Sequence, residues 1–218
     1  ANVTAILSAR NAHFAGAWTH GLGTPATGTP AILTSVDSHY SIARAAGIVG
    51  IGTKNVIKVP VDRQRRVRGD ACGRAIQAAR VAGQMPFLIV SSSCSTSTGS
   101  FDDIRELADV ARSENLWLHV DGAHGASFLF SKTSRNLLDG IELADSVTWD
   151  AHKMMHIPSL LTFLLFRNPD QCDATFAQDA PYLYKGDTSA FDPGLRTFEC
   201  TRSAMVLALW GMWSLFGR

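Results

Sequence analysis

The sequence predicts an α/β fold in which helices cover both faces of a mostly parallel sheet. Two observations support this class. Apolar runs alternate along the chain with segments of helical period, and most of these runs are continuous rather than alternating with polar residues. Continuous apolar strands are typical of sheets that are buried on both faces. A chain of 218 residues, 46% of them apolar, can bury one large core, so we expect one main domain.

Strands and helices are expected in a regular order. The short apolar runs predict strands at residues 31–34, 56–61, 87–92, 117–120, 146–149 and 161–166. The segments between them predict helices at residues 38–46, 71–82, 101–113 and 133–143. Residues 1–10 have the pattern of a helix interior without a capping turn, and residues 205–216 form an apolar helical stretch that should pack on something further along. Both ends predict a fragment of a longer protein.

Charge and cysteine content narrow the classes of function. A net charge of +1 gives no electrostatic signature for nucleic acid, and we expect the basic cluster at residues 63–68 to be a solvated loop. The apolar runs are far shorter than the ~20 residues of a membrane helix, so we expect no membrane partner. The four cysteines are widely spaced, which favours free thiols and a cytoplasmic location.

Polar residues that could take part in binding or catalysis follow the predicted strands. In parallel sheets ligands bind beyond the carboxyl ends of the strands, where the loops gather. One crevice there is expected to contain His39, Ser95 and Thr96 in the polar run 93–98, Asp121, Asp150, His152 and Lys153.

Lys153 and Asp121 together predict a pyridoxal phosphate site. A lysine that ends a buried strand can form an imine with an aldehyde cofactor, and a carboxylate facing the pyridine nitrogen keeps that nitrogen protonated. For Lys153 the alternative is a surface lysine at a strand end. For Asp121 it is a loop aspartate that caps a turn with Gly122.

Three further elements of the site are predicted from their neighbours. Ala123 would lie against the cofactor ring, and the imidazole of His39 would stack on the opposite face. His39 opens the helix at 38–46, with Asp37 or Ser38 as its cap, so a capping or core role is the alternative. The hydroxyls of Ser95 and Thr96 would contact cofactor or substrate, unless they belong to a serine-rich turn that caps the next helix.

Two competing motifs are rejected. His152 and His156 have the spacing of a helical zinc pair, but Pro158 argues against a helix and no glutamate follows the first histidine, so no metal is expected. The glycines that begin at Gly47 are in the wrong order for a dinucleotide loop and follow a helix.

Motifs spread over nearly the whole chain resemble the group II pyridoxal-phosphate-dependent amino-acid decarboxylases. They are the opening Ala-Asn-Val-Thr-Ala-Ile-Leu-Ser-Ala-Arg, Asp37-Ser-His-Tyr-Ser, Thr98-Gly-Ser-Phe-Asp-Asp-Ile, His119-Val-Asp-Gly-Ala-His-Gly, Ala144-Asp-Ser-Val-Thr-Trp-Asp-Ala-His-Lys and Glu199-Cys-Thr-Arg. The resemblance implies the large domain of the aspartate-aminotransferase-like fold and a homodimer with active sites at the interface.

The resemblance also implies roles for individual residues. Lys153 would be the Schiff-base lysine, Asp121 the partner of the pyridine nitrogen, Ala123 a ring contact and His39 the stacked imidazole. His152 would lie by the phosphate, with Asp150 nearby.

The resemblance sets domain limits as well. Residues 1–195 would form the cofactor-binding large domain, and residues 196–218 the start of a connection to a small domain beyond Arg218. The glycine- and serine-bearing phosphate loop would fall just before Ala1. The family's mobile loop corresponds to residues 185–194, which contain Phe191 but no tyrosine.

The expected reaction is decarboxylation of an L-amino acid to its amine through Lys153. Two alternatives remain open: another reaction of the same cofactor, such as decarboxylation-coupled oxidative deamination or aldehyde formation, and a non-catalytic truncated relative that pairs with a complete subunit.

Overall fold

The computed structural model describes residues 1–23, 28–176, 196–197, 199 and 203–217. Within these residues six strands form one sheet: β1 (Thr29–Ser35), β2 (Val56–Val59), β3 (Gln84–Ser92), β4 (Trp117–Asp121), β5 (Ser146–Asp150) and β6 (Thr162–Phe166). Their order across the sheet is β2-β1-β3-β4-β5-β6. Strands β1 to β5 pair in parallel and only β6 is antiparallel, which confirms the mostly parallel sheet.

Helices lie on both faces of this sheet, as predicted. In the described residues the α-helices are α1 (Asn2–His13), α2 (Ala17–His20), α3 (Ser41–Ile48), α4 (Gly69–Val81), α5 (Ile104–Glu114), α6 (Ala151–Met154), α7 (Pro169–Thr175) and α8 (Val206–Phe216). Helices α1 and α3 pack with Ile32 and Leu88 on one face. Helices α4 and α5 pack with Leu33 and Ile89 on the other, because successive strand residues point to opposite sides.

A third apolar cluster lies beside β5 and β6. The Trp149 ring stacks on Phe163 with a centroid distance of 4.9 Å, and Leu209 of α8 is buried in the same cluster. Within the described part of the chain, no helix combines the length and the apolarity that crossing a bilayer would require. The predicted mobile loop at residues 185–194 and Cys200 lie outside the described residues.

The helix predicted at residues 133–143 is wrong. The structure has two short 3-10 helices there, Arg135–Leu138 and Ile141–Leu143. Gly140 separates them with φ +89°, a left-handed conformation that no α-helix contains. A side chain at Gly140 would also come within 3.1 Å of the Arg105 backbone nitrogen, so the close approach to α5 requires this glycine.

Several predicted boundaries also differ. Helix α3 begins at Ser41, and the N-cap before it is Tyr40, which makes no side-chain capping bond, so the expected cap by Asp37 or Ser38 is wrong. Asp37 instead forms an ion pair with Arg65. Strand β2 ends at Val59, because the next residue is a proline and cannot donate to the sheet.

The basic cluster at residues 63–68 is a loop, as expected, but three of its four arginines are paired. Arg65, Arg66 and Arg68 form ion pairs with Asp37, Asp62 and Glu106 respectively. The three described cysteines, Cys72, Cys94 and Cys172, are free thiols.

Candidate active site

A cavity of about 290 Å³ opens at the carboxyl edge of the parallel strands, where ligands bind in folds of this kind. It is lined by seven of the eight residues that the sequence predicts for the cofactor site: His39, Ser95, Thr96, Asp121, Ala123, Asp150 and Lys153. Its other lining residues are Ala1, Asn2, Val3, Ser41, Arg44, Ala45, Ser92, Cys94, His124, Thr148 and Thr162.

Lys153 reaches the cavity from α6, a single helical turn that follows β5 directly. Its Nζ lies 3.1 Å from Asp150 Oδ2, and the lysine side chain is 29% exposed. The other oxygen of Asp150 accepts a hydrogen bond of 2.7 Å from Thr162 Oγ1 on β6. The amine therefore has a defined position at the cavity wall.

Asp121 ends the neighbouring strand β4. Its Oδ2 accepts a hydrogen bond of 2.9 Å from Asn2 Nδ2, and its Oδ1 accepts one of 3.3 Å from the Ala123 backbone nitrogen. A side chain at Gly122 would come within 3.0 Å of the Thr148 carbonyl oxygen, so the turn after Asp121 packs tightly on β5. This packing fixes the direction in which the chain leaves β4.

His39 lies immediately before α3, on the same cavity. Its Nδ1 is 2.9 Å from Ser41 Oγ, and its ring packs against Tyr40 with a centroid distance of 4.2 Å. The imidazole is thus held by a hydrogen bond and a ring contact. The expected stacking of His39 on a cofactor stays a prediction.

Ser95 and Thr96 belong to the loop after β3. Ser95 is buried, and its hydroxyl donates a hydrogen bond of 3.0 Å to the Asp37 carbonyl oxygen, whereas Thr96 is exposed. The alternative prediction, that this serine-rich turn caps the next helix, is wrong. The cap of α5 is Asp103, whose side chain accepts a hydrogen bond of 3.0 Å from the Glu106 backbone nitrogen. Their contacts with a ligand stay predictions.

His152 is the predicted residue that the structure does not bring to the cavity lining. Its Nδ1 lies 3.0 Å from the Leu161 carbonyl oxygen and 3.2 Å from the Leu161 nitrogen, and its Nε2 is 3.9 Å from Asp150 Oδ2. The ring connects α6 to the segment before β6. Its predicted place by the phosphate remains untested.

Sequence reasoning missed several lining residues, among them Asn2 and Thr148, which are hydrogen-bonded to each other. Thr148 Oγ1 donates to Asn2 Oδ1 at 3.1 Å. Behind them lies His119, fully buried, and burial lowers the pKa of this imidazole to about 4. A signal was present for the strand residues, because polar side chains occupy every second position of β4 and β5 and therefore share one face.

Two more missed groups stand close to Lys153. Burial lowers the pKa of His124, and the nearby Lys153 lowers it further. Burial raises the pKa of the Cys94 thiol, which Lys153 partly offsets. Cys94 also has φ +66°, a conformation that side-chain-bearing residues rarely adopt.

The sheet is mostly parallel and covered by helices on both faces, and a lysine and an aspartate share one cavity at its carboxyl edge. These features define a cofactor-binding α/β core of the aspartate-aminotransferase-like type. The chain belongs to the pyridoxal-dependent decarboxylase family. The family model described as the pyridoxal-dependent decarboxylase conserved domain matches residues 1–218.

Curated relatives support this membership. The chain is 38% identical over 191 residues to cysteine sulfinic acid decarboxylase of Rattus norvegicus, covering 86% of this chain and 39% of that protein. It is 39% identical over 188 residues to aspartate 1-decarboxylase of Aliivibrio fischeri, covering 86% of this chain and 34% of that protein. The chain therefore spans well under half the length of these relatives.

A solved structure has the same fold as this chain. The crystal structure of mouse CSAD superposes with a TM-score of 0.93 at 35% sequence identity, covering 99% of this chain and 45% of the mouse chain. The predicted family and fold class are thereby confirmed.

Proposed function

We propose that this chain is the core of an amino-acid decarboxylase that uses pyridoxal 5'-phosphate and converts an L-amino acid to its amine. The observation that carries the proposal is the presence of the Lys153 amine and the Asp121 carboxylate on one cavity. The names of the rat and Aliivibrio relatives support the reaction class. Because the chain spans only part of those relatives, activity is proposed for the full-length protein.

The chemistry of the cavity fits this cofactor. Its volume of about 290 Å³ is at the small end of the range for ligand sites, as expected for a compact, ring-sized molecule. Its lining offers a primary amine, a carboxylate acceptor, an imidazole ring and hydroxyl donors, which are the groups that an aldehyde, a pyridine nitrogen, a flat ring and a phosphate require.

When bound, pyridoxal phosphate would supply the electron sink for the bond that breaks as carbon dioxide leaves. Lys153 would supply the amine for covalent attachment of the cofactor aldehyde, and Asp150, 3.1 Å away, would orient that amine. Asp121 would face the pyridine nitrogen and keep a proton there. His39 would fix the ring plane from one side.

The remaining predicted contacts complete the proposal. Ala123, with its small side chain, would let the ring approach the sheet edge opposite His39. Ser95 and Thr96 would donate hydroxyl hydrogen bonds to cofactor or substrate, and His152 would lie by the phosphate. We also propose a homodimer, testable by sedimentation equilibrium, and a cytoplasmic location, testable by cell fractionation.

The role of Lys153 can be tested by chemical trapping. The full-length protein, loaded with cofactor and reduced with borohydride, should give a peptide that carries the cofactor mass on Lys153. Lys153→Ala should abolish both this label and carbon dioxide release, because no other amine would be available at that position. Lys54→Ala, on an exposed 3-10 turn outside the cavity lining, is the matched control and should be labelled like the wild type.

A substrate panel tests the reaction. Carbon dioxide release should be measured across the common amino acids together with cysteine sulfinate, and the amine and aldehyde products should be separated by chromatography. Amine formation from at least one amino acid is the expected result. Aldehyde with ammonia, or cofactor binding without carbon dioxide release from any amino acid, would contradict the proposal.

A further inference from the structure

A chain of hydrogen bonds connects the cavity to the interior of the sheet. At its inner end Trp117 Nε1 lies 2.9 Å from Ser146 Oγ, which lies 2.8 Å from His119 Nδ1. His119 Nε2 lies 3.2 Å from Asn2 Oδ1. Asn2 Nδ2 then lies 2.9 Å from Asp121 Oδ2. Five side chains therefore form a continuous line that ends on the Asp121 carboxylate.

The two ends of this line favour one set of hydrogen-bond directions. The indole nitrogen of Trp117 can only donate, so Ser146 Oγ accepts from it and can turn its own proton toward His119 Nδ1. A carboxylate can only accept, so Asn2 turns its NH₂ toward Asp121 and its carbonyl oxygen toward His119. In this arrangement His119 is the neutral tautomer with its proton on Nε2, the form that donates to the Asn2 oxygen.

The two neutral tautomers of His119 differ in the contact that they leave unsatisfied. The Nδ1-protonated form donates to the Ser146 carbonyl oxygen at 3.1 Å and accepts from Thr148 Oγ1 at 3.3 Å, but its Nε2 lone pair faces Asn2 Oδ1 at 3.2 Å. The Nε2-protonated form donates to Asn2 Oδ1 and accepts from Ser146 Oγ at 2.8 Å, with its Nδ1 lone pair facing the Ser146 carbonyl oxygen. Complete burial lowers the pKa of His119 to about 4, so the ring stays uncharged near neutral pH. An uncharged His119 ring supplies no positive charge to Asp121.

Asn2 has no hydrogen-bonding capacity left over. Its second N–H donates to Ser41 Oγ at 2.9 Å, and its oxygen also accepts from Thr148 Oγ1 at 3.1 Å. Ser41 Oγ in turn lies 2.9 Å from His39 Nδ1. The Asn2 amide thus connects Asp121 and His39, the residues expected at the nitrogen and at the face of one ring.

We propose that Asn2 and His119 are positioning residues that hold the Asp121 carboxylate in one orientation for the pyridine nitrogen of the cofactor. The inference rests on the proposed function, because it places pyridoxal phosphate in this cavity. Without the Asn2 N–H, only the 3.3 Å hydrogen bond from the Ala123 backbone holds the carboxylate, so its hydrogen bond to the ring nitrogen is less well preorganised.

The test compares two ligands that differ only at the ring nitrogen. Full-length apoprotein is titrated with pyridoxal phosphate and with the analogue that carries carbon in place of this nitrogen. Loss of one hydrogen bond to a charged group predicts that Asn2→Ala weakens pyridoxal phosphate binding by about tenfold and leaves analogue binding nearly unchanged. Asn11→Ala, on the same helix with its side chain bonded to the Thr175 carbonyl oxygen, is the matched control and should leave both affinities unchanged.

A double variant shows whether Asn2 acts through Asp121. In the Asp121→Ala background, Asn2→Ala should cause no further loss of pyridoxal phosphate affinity, whereas a general structural defect would add to the loss. Should Asn2→Ala fail to fold, Ser146→Ala reports on the same chain. It removes the proton offered to His119 Nδ1, so nitrogen NMR should show the other His119 tautomer. Binding of pyridoxal phosphate should again weaken more than binding of the analogue, but by less than in Asn2→Ala.

The outcomes separate this inference from the function on which it rests. If wild type and Asp121→Ala do not differ in preference for pyridoxal phosphate over the analogue, the assignment of Asp121 fails, and the inference with it. If that preference depends on Asp121, but Asn2→Ala weakens both ligands equally or neither, the positioning role alone is overturned. An additive double variant overturns it as well.

Discussion

Asp102 is a buried carboxyl whose titration should be visible in the stability of the protein. Its side chain is only 4% exposed, and the backbone nitrogens of Val67 and Ser92 each donate to one of its oxygens at 2.7 Å. Burial nevertheless raises the pKa of Asp102 from 3.8 to about 6, outweighing these two hydrogen bonds. At about 1.36 kcal/mol per pKa unit, the shift corresponds to roughly 3 kcal/mol of folding free energy.

The sign of the effect follows from where the proton sits. Between about pH 4 and pH 6 the folded protein retains a proton on Asp102 that the unfolded chain has released, so the free energy of unfolding falls as pH rises through this interval. Asp102→Asn cannot titrate. The free energy of unfolding of the variant, relative to that of the wild type, should therefore rise by roughly 3 kcal/mol between about pH 4 and pH 7.

Urea unfolding at a series of pH values measures this difference directly. At the acidic end the variant should be the less stable protein, by about 1–3 kcal/mol, because its single amide oxygen leaves one backbone N–H without an acceptor. Asp70→Asn is the control: the hydrogen bond from Arg74 lowers the pKa of Asp70, so this exposed variant should lose stability relative to wild type as pH rises through the acidic range. If the stability of Asp102→Asn relative to wild type stays constant or falls as pH rises, the two backbone hydrogen bonds outweigh burial in setting the pKa of Asp102.

Two further predictions concern backbone geometry near the cavity. Cys94→Gly should be more stable than Cys94→Ala by about 1 kcal/mol in urea unfolding, because φ +66° at Cys94 costs a residue with a side chain more than it costs glycine; equal stabilities would contradict this. Gly125→Ala should lower the free energy of unfolding by about 3 kcal/mol, because the added carbon would lie 2.5 Å from the Ser93 carbonyl oxygen and 2.8 Å from the Phe101 ring. Gly73→Ala in α4 is the control: its added carbon meets nothing within 4 Å, so the variant should be more stable than the wild type by about 0.5–1 kcal/mol. Equal losses of unfolding free energy in the two glycine variants would refute the steric argument.

The sheet and most of the cavity could be predicted because both depend on local patterns. Continuous apolar runs identify buried strands wherever they occur in the chain. Polar residues directly after such runs fall at one edge of a parallel sheet, so the sequence alone brings Asp121, Asp150 and Lys153 together. No knowledge of tertiary contacts is needed for either step.

The failures have a different physical origin, since each depends on tertiary contacts that the local sequence pattern does not show. The segment at 133–143 has a helical pattern, but Gly140 packs on the backbone of Arg105 and breaks it into two turns. His152 is next to Lys153 in sequence, yet its ring turns toward Leu161. Asn2 lies 119 residues from Asp121 along the chain, and only the packing of α1 on the sheet brings them into contact.

The two carboxylates of the cavity differ in their partners, and this difference bears on where a cation would bind. Asp150 faces the ammonium of Lys153 at 3.1 Å, so its charge is neutralised within the protein. Asp121 receives hydrogen bonds only from the neutral Asn2 amide and the Ala123 backbone, as far as the described residues show. A neutral donor orients a carboxylate without cancelling its charge. On the proposed function, a protonated ring nitrogen would therefore be attracted more strongly to Asp121 than to Asp150, while Lys153 would be the point of attachment.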